Sequence, residues 1–419
     1  MPLAVGIDFG TTNSAVAIAT DAGRVRLLPL PAPGGGVAST WRSILYFESG
    51  ETPGDVLVSA GTPAMERYAE SGGQGRLVQS IKSHLASELF SGTQALGRHY
   101  RVEDLIALFL RKLREAVDTD LGRRAVVGRP VRYWGAATVA DEERALARMR
   151  TALALAGFDD VTFEYEPVAA AHRYAAGLAH EELVVIADFG GGTSDFSVVR
   201  VGGDGGATVL ATSGVAVAGD SFDARLVDQV VAPALGRGTS YEAEFGRQMP
   251  VPPWIYTNLR RWHHLSFLRS RKTESLLEKI RSGASAPESI DRLIHIIEDE
   301  LGLPLHQAIE ASKRALSESA DARFVFEHPG IALTSDLTRA AFDTWIDEEL
   351  ADIEHAVNEA LARAGVAASA VDRVFTTGGS SLVPAVRARL AATFGADRLV
   401  GGDELTSVAW GLAAVATDR

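Results

Sequence analysis

The 419-residue chain contains no cysteine. Disulfides, zinc–thiolate sites and cysteine nucleophiles are excluded together, and the composition fits a cytosolic protein. No apolar run approaches the roughly 18 residues that span a bilayer. No basic segment leads into an apolar stretch at the start, because Met1-Pro2-Leu3-Ala4 enters strand-like sequence at once and Asp8 interrupts the first apolar run. Neither a signal peptide nor a membrane partner is expected, and the expected location is the cytoplasm. Positive charge is scarce: 41 Lys and Arg stand against 54 Asp and Glu, a net charge of −13. Such a chain repels phosphate polymers, so nucleic acid is not an expected partner. The Gly-x-x-x-x-Gly-Lys-Ser/Thr phosphate loop is missing. Asp-Phe-Gly occurs at Asp8 and again at Asp188, but without the His-Arg-Asp loop of a protein kinase. His263-His264 and the scattered other histidines show no metal-ligand spacing.

What is present is ordinary globular material, 46% hydrophobic and 23% charged. The length suggests two or three domains. One pattern occurs twice. Val5-Gly6-Ile7 leads into Asp8-Phe9-Gly10-Thr11-Thr12-Asn13 and then an alternating strand from Ala15 to Ile18. Val184-Val185-Ile186 leads into Asp188-Phe189-Gly190-Gly191-Gly192-Thr193 and a strand from Phe196 to Val201, followed by a turn at Gly202–Gly206 and another strand at Ala207–Ala211. The interval is too long for a solenoid repeat and suits two similar lobes. Glycines let a ligand approach the main chain, successive amides make a nest for an anion, and hydroxyls add donors. An aspartate beside a phosphate needs a cation between them, and magnesium is the natural oxygen-seeking choice.

The residues carry a resemblance. "GIDFGTTNS" from Gly6 resembles the first phosphate loop of the heat shock protein 70 (DnaK-type) chaperone family, and "DFGGGTSD" from Asp188 the second. "KSHL" at Lys82 resembles the segment of the family's catalytic lysine, "AVVGRPV" at Ala125 its linking strand, and "EPVAAAHRYAAGL" at Glu166 its Glu-Pro helix. "GDSFDARLV" at Gly219, "EASKRALS" at Glu310 and "TTGGSSLVP" at Thr376 resemble the later loop-helix, the adenosine-contacting helix and the adenosine loop. "GRPVRYWG", "FEYEPVAA" and "MPVPPWIYTNLRRW" are similar to a YegD-like branch that holds the ATPase domain alone. A peptide-binding domain is accordingly not expected after Arg419, where the sequence ends.

The resemblance implies an α/β protein of the two-lobed actin-like ATPase fold, with duplicated ribonuclease H-like lobes around a nucleotide cleft. Lobe I would span residues 1–187 with 397–419, and lobe II residues 188–396, with an outer helical subdomain near 225–310. ATP or ADP with magnesium would be the cofactor, and the activity slow ATP hydrolysis. Asp8 and Asp188 would hold the metal, with Lys82, Glu166, Asp188 and Thr193 catalytic. Gly10, Thr11, Thr12, Asn13, Gly190, Gly191, Gly192, Gly219 and Asp220 would bind the nucleotide, with Thr11, Thr12, Thr193 and the amides of Gly10 and Gly190–Gly192 on its phosphates. Glu310, Lys313, Arg314 and Ser317, with Gly378, Gly379 and Ser380, would hold the nucleoside. Leu382 stands where the family commonly has an arginine, and Leu405 where an acidic residue is common, with Glu404 one place early. An exchange factor, a co-chaperone or a protein client are the implied partners.

The pattern supports this architecture independently. Val102, Leu105, Phe109, Leu113 and Val117 predict an amphipathic helix over 102–117. A buried strand over Ala125–Val131, a helix over Asp141–Ala156 capped by Asp141, a strand over Val161–Tyr165 and a helix near Pro167 follow. "PAPGGG" at Pro31 reads as a surface turn, and Glu242–Leu305 as outer helices with Trp254 and Trp262 in a core or on a partner surface. Plainer readings stand beside the sharp ones. Lys82 is a solvated lysine or a catalytic one, Glu166 a helix cap or a cleft carboxylate, and the Glu310–Ser317 stripe an exposed face with a Glu–Arg pair or an adenosine contact. A filament-forming actin relative, a sugar kinase of the same fold and a nucleotide-sensing regulator remain open alternatives. The kinase would need a further catalytic aspartate, which no motif supplies.

Overall fold

A computed structural model of the chain describes residues 4–20, 24–52, 54–71, 74–175, 178, 180–202, 206–260, 265, 268–401 and 406–416. Trp262, His263, His264, Glu404, Leu405 and the tip of the turn after Gly202 lie outside them. Two compact units result: residues 1–219 with 350–419, and residues 220–349.

The first unit contains two sheets on one plan. Strands β1 (Ala4–Phe9), β2 (Asn13–Ala19), β3 (Val25–Leu27), β4 (Arg124–Arg129) and β5 (Asp160–Tyr165) lie in the order β3-β2-β1-β4-β5. Strands β6 (Glu182–Phe189), β7 (Ser194–Gly202), β8 (Gly206–Val215), β9 (Arg373–Thr377) and β10 (Leu399–Gly401) lie in the order β8-β7-β6-β9-β10. Each sheet begins with an antiparallel hairpin and adds two parallel strands beside the first. Residues 187 and 188, at the expected lobe boundary, are consecutive residues of β6.

Burial on both faces explains the sequence of the central strands, which read as near-continuous apolar runs. Val5, Ile7 and Phe9 of β1 are buried with Phe109 and Leu113 of α1 (Val102–Ala116), Ala152 of α2 (Val139–Leu155) and Phe158, which follows α2. On the other face, Ala15, Ala17 and Ala19 of β2 meet Ala409 and Ala413 of α4 (Ser407–Val415). Helix α3 (Glu166–Ala175) packs on β6, β7 and β8 and crosses α4. The crossing is made of small residues: a Cβ on Gly411 would lie 1.7 Å from the Ala169 carbonyl oxygen. Only glycine admits that approach, and the two sheets are thereby separated by two closely packed helices.

The expected elements are present with shifted ends. The helix over 102–117 ends one residue early, at Ala116. Asp141 is not the cap of α2. Thr138 is, and Asp141 occupies the third helical position, where its carboxylate accepts from the Thr138 amide at 3.0 Å while the Thr138 hydroxyl accepts from the Asp141 amide at 3.3 Å. This reciprocal box satisfies two amides, where a lone cap satisfies one. The stretch from Pro31 forms a surface turn between two three-residue strands, Leu30–Ala32 and Gly36–Ala38.

The second unit is a helical body with a β-hairpin. It includes the helices Arg271–Gly283, Pro287–Glu298 and Gly302–Glu318 and the hairpin Asp321–His328/Ile331–Thr338. The hairpin strands alternate buried and exposed residues, and the strand Asp321–His328 packs on the helix Gly302–Glu318. Trp254 is 45% exposed, so its side chain is not core.

Candidate functional site

The parallel strands direct the candidate residues to their carboxyl ends, the usual place for a site in such sheets. Asp8 lies at the end of β1, Glu166 follows β5, Asp188 lies at the end of β6, and Gly378 follows β9. The two hairpins have one register: Phe9 pairs with Ser14, Phe189 with Ser194, and four residues turn between each pair. Gly10 is required by a close approach, since a Cβ there would lie 2.1 Å from the Asn13 carbonyl oxygen. None of Gly10, Gly190, Gly191 and Gly192 has a positive φ, so backbone freedom is not why these positions are glycine.

The loops converge. A Cβ placed on Gly192 would have Thr11 Oγ1 at 3.9 Å. The Ser380 hydroxyl donates to the Gly190 carbonyl at 3.2 Å, and Gly378, with φ at 82°, packs against the Phe189 backbone. The loop of Gly378, Gly379 and Ser380 therefore lies against the second hairpin loop. Asn13 pairs with Arg42, and the Thr12 carbonyl accepts from the Ser43 amide at 2.9 Å, which ties down the first.

Lys82 is not a solvated surface lysine. Its side chain is 9% exposed, and Nζ donates to Glu166 Oε1 at 2.5 Å. It projects from a short 3-10 helix, Ile81–His84, that follows a left-handed Ser80 (φ 52°). Ile81 and Leu85 anchor this segment in the core. Two arginines of α2 hold it from outside. Arg148 donates to the carbonyls of His84, Leu85 and Ser87, and Arg144 to that of Ala86. Glu166 is the first residue of α3 rather than an extended residue before Pro167.

Charge in this region is one-sided: the carboxylates of Asp8, Asp188, Asp195 and Glu166 gather around one ammonium. Burial first, then the Glu166 carboxylate, push Asp8 up to about 7, and Lys82 offsets this only in part. Burial, Glu166, Asp8 and Asp195 together raise Asp188 well above the usual carboxylate range. Burial alone would lower Lys82, but Glu166 and Asp8 outweigh it and hold the ammonium above its ordinary range. The oxygen donors and uncompensated negative charge fit a hard divalent cation and suit an anion far less.

Asp195 escaped the sequence reading. It faces Asp188 directly across β6 and β7, is 2% exposed, and accepts from the Val131 amide at 3.1 Å. Burial and Glu166 raise it to about 7, against a hydrogen bond from Thr193. The signal was available: an aspartate just past a four-residue turn falls opposite the one just before it. Tyr133, also buried here, is pushed up to about 12 by burial.

Gly219 and Asp220 begin the helix Gly219–Leu226, at the division between the two units. Glu310, Lys313, Arg314 and Ser317 lie on the helix Gly302–Glu318 of the second unit. There Lys313 Nζ pairs with Asp223 at 2.8 Å, and the Ser317 hydroxyl donates to the Lys313 carbonyl at 3.0 Å. Arg314 is exposed.

The family model described as Hsp70 protein matches residues 75–238 and 289–417. The chain belongs to the Hsp70 family. Its fold class is accordingly the α/β actin-like ATPase fold, in accord with the repeated sheet order. It is 27% identical over 411 residues to the Chaperone protein DnaK of Thermosipho africanus, covering 96% of this chain and 57% of that protein. It is 26% identical over 411 residues to the Chaperone protein DnaK of Thermotoga neapolitana, covering 96% of this chain and 58% of that protein. The chain thus spans little more than half the length of these Hsp70 relatives. The stretch between the two matched Hsp70 segments holds the helix Arg271–Gly283 and the short hairpin Ser240–Glu242/Gln248–Pro250. Among the described residues, no helix is long and apolar enough to cross a membrane.

His295, Asp299 and His328 of the second unit bring their ligand atoms together, although no sequence spacing joins all three.

Proposed function

We propose that this Hsp70-family chain is a magnesium-dependent ATP-binding protein and a slow ATPase, of the YegD-like kind. The observation that carries the reading is the gathering of Asp8 and Asp188, from two hairpins of one register, into a buried acidic cluster around Lys82. In this reading the first sheet belongs to one lobe and the second to the other. The amides of Gly10 and Gly190–Gly192 and the hydroxyls of Thr11, Thr12 and Thr193 cradle the β- and γ-phosphates.

Asp8 and Asp188 would hold the magnesium ion, which supplies charge neutralisation for the phosphates. Lys82 stabilises charge on the transferring phosphoryl group. Asp188 orients the attacking water, and Glu166 keeps Lys82 in place and protonated. Ser380 fixes the nucleoside loop against the second phosphate loop. Leu382, 51% exposed, replaces a guanidinium face on the base with an apolar one, which lowers ATP affinity about ten-fold relative to an arginine there. A cytoplasmic location and partners of the exchange-factor, co-chaperone or client kind belong to the same proposal.

Calorimetry with ATP, in magnesium and then in excess chelator, tests the reading alongside phosphate release. Saturable binding that weakens without magnesium, with slow phosphate release, is expected. No binding at millimolar ATP with magnesium would remove the proposal.

A further inference from the structure

The second unit holds a cluster that the nucleotide reading does not use. His295 and Asp299 stand one turn apart at the carboxyl end of the helix Pro287–Glu298, a spacing that puts both on one face. His328 ends the first strand of the hairpin Asp321–His328/Ile331–Thr338. The ligand atoms of the three side chains lie within 4.8 Å of one another.

Three observations separate this cluster from a chance meeting of polar side chains. His295 Nε2 and His328 Nδ1 are shielded from water, and neither has a hydrogen-bond partner. Buried unsatisfied nitrogens are costly and call for a cause. His295 Nε2 lies 3.0 Å from Asp299 Oδ2, a contact that is an ion pair only when the imidazole is protonated. Finally, the turn after His328 lies close against the His295 ring. Gly330 has φ at +82°, and a Cβ there would lie 2.7 Å from His295 Cε1.

We propose that His295, Asp299 and His328 form a binding site for one zinc-class divalent ion. Two imidazoles and one carboxylate favour zinc, nickel or copper over magnesium. Ligands about 2.1 Å from a tetrahedral ion lie roughly 3.4 Å apart. The His295–Asp299 pair is already near that separation, and side-chain rotation of His328 closes the rest. Three protein ligands leave a fourth position for water. The bound ion joins the end of the helix Pro287–Glu298 to the hairpin. It therefore stabilises this unit whether or not nucleotide is bound.

The test uses the full chain, freed of metal by a chelator and then held in excess magnesium so that hard oxygen sites are filled. Zinc is titrated by calorimetry, and cobalt replaces it for visible absorption. One equivalent of zinc should bind, cobalt should give d–d bands, and zinc should raise the melting temperature. His328→Gln keeps size and polarity, so its fold is checked by circular dichroism. It should lose the cobalt bands and the zinc-dependent rise in melting temperature, and His295→Ala should do the same. Asp299→Asn should weaken zinc binding at least ten-fold. Absence of zinc binding in the unaltered chain, or equal binding in the folded His328→Gln variant, would overturn the site.

Discussion

The hairpins β1–β2 and β6–β7 share a register and a turn length, but they line their turns differently. The first turn presents Thr11, Thr12 and Asn13 after its glycine, and the second presents Gly191, Gly192 and Thr193. The residue opposite the aspartate also differs. Asp8 faces Ala15, which is buried under α4, whereas Asp188 faces Asp195, which reaches the Val131 amide. One position thus serves helix packing in one copy and charge in the other. The duplicated frame sets where the two turns meet, while the first turn carries more hydroxyl side chains and the second more bare backbone.

The largest expected effect breaks the symmetry of the two aspartates. Asp188→Asn should fold and bind nucleotide yet lose turnover by on the order of 10²-fold or more, as removal of a main electrostatic group does. Phosphate release measures it. Turnover at the unaltered rate would take Asp188 out of the chemistry, and an equal loss in Asp8→Asn would make the two hairpins functionally equivalent.

A smaller contrast separates the glycines. In Gly10→Ala the new Cβ meets the Asn13 carbonyl oxygen at 2.1 Å, so the turn must move, at a cost of about 1–3 kcal/mol. In Gly192→Ala the new Cβ meets nothing closer than 3.9 Å, so stability should hold while the space beside Thr11 narrows and ATP binding weakens. Urea unfolding and calorimetry on both variants separate packing from ligand access. Equal destabilisation of the two would contradict the difference between the turns.

The smallest effect concerns the extra carboxylate of the second hairpin. Asp8 and Asp195 are raised from an ordinary value of 3.8 to about 7, so between these values the folded chain holds more protons than the unfolded one. Stability without a cation should therefore fall as pH rises from about 4 to about 7 and level off above. Magnesium should oppose the fall. Asp195→Asn keeps an acceptor for the Val131 amide and removes one charge, so it should be more stable above pH 7 by on the order of 1 kcal/mol. Melting temperatures across this range decide the matter, and an unchanged pH profile in the variant would show that Asp195 does not share the cluster's charge.

Local order made much of the fold legible. Val5-Gly6-Ile7 before Asp8 and Val184-Val185-Ile186 before Asp188 mark buried strands, and the periodicity from Val102 marks a helix whose observed end differs by one residue. The cap of α2 was misread because Asp141 serves equally well as a cap or as the third residue of a capping box, and only the reciprocal bonds with Thr138 distinguish them. Lys82 was legible as a residue but not as a buried one. The segment that follows it is held by Arg144 and Arg148, which lie far along the chain on α2.

By itself the sequence determined the central strands around the two aspartate-glycine turns, the helix from Val102 and the family to which they belong. Hydrophobic period, glycine placement and short motifs are local properties that survive without knowledge of neighbours. Tertiary structure alone decided that Glu166 meets Lys82, that Asp195 joins the acidic cluster, and that His328 approaches His295 and Asp299. Each of these meetings crosses strands or elements. They depend on sheet register and on which faces are buried together, and burial is also what turns separate charges into one coupled site.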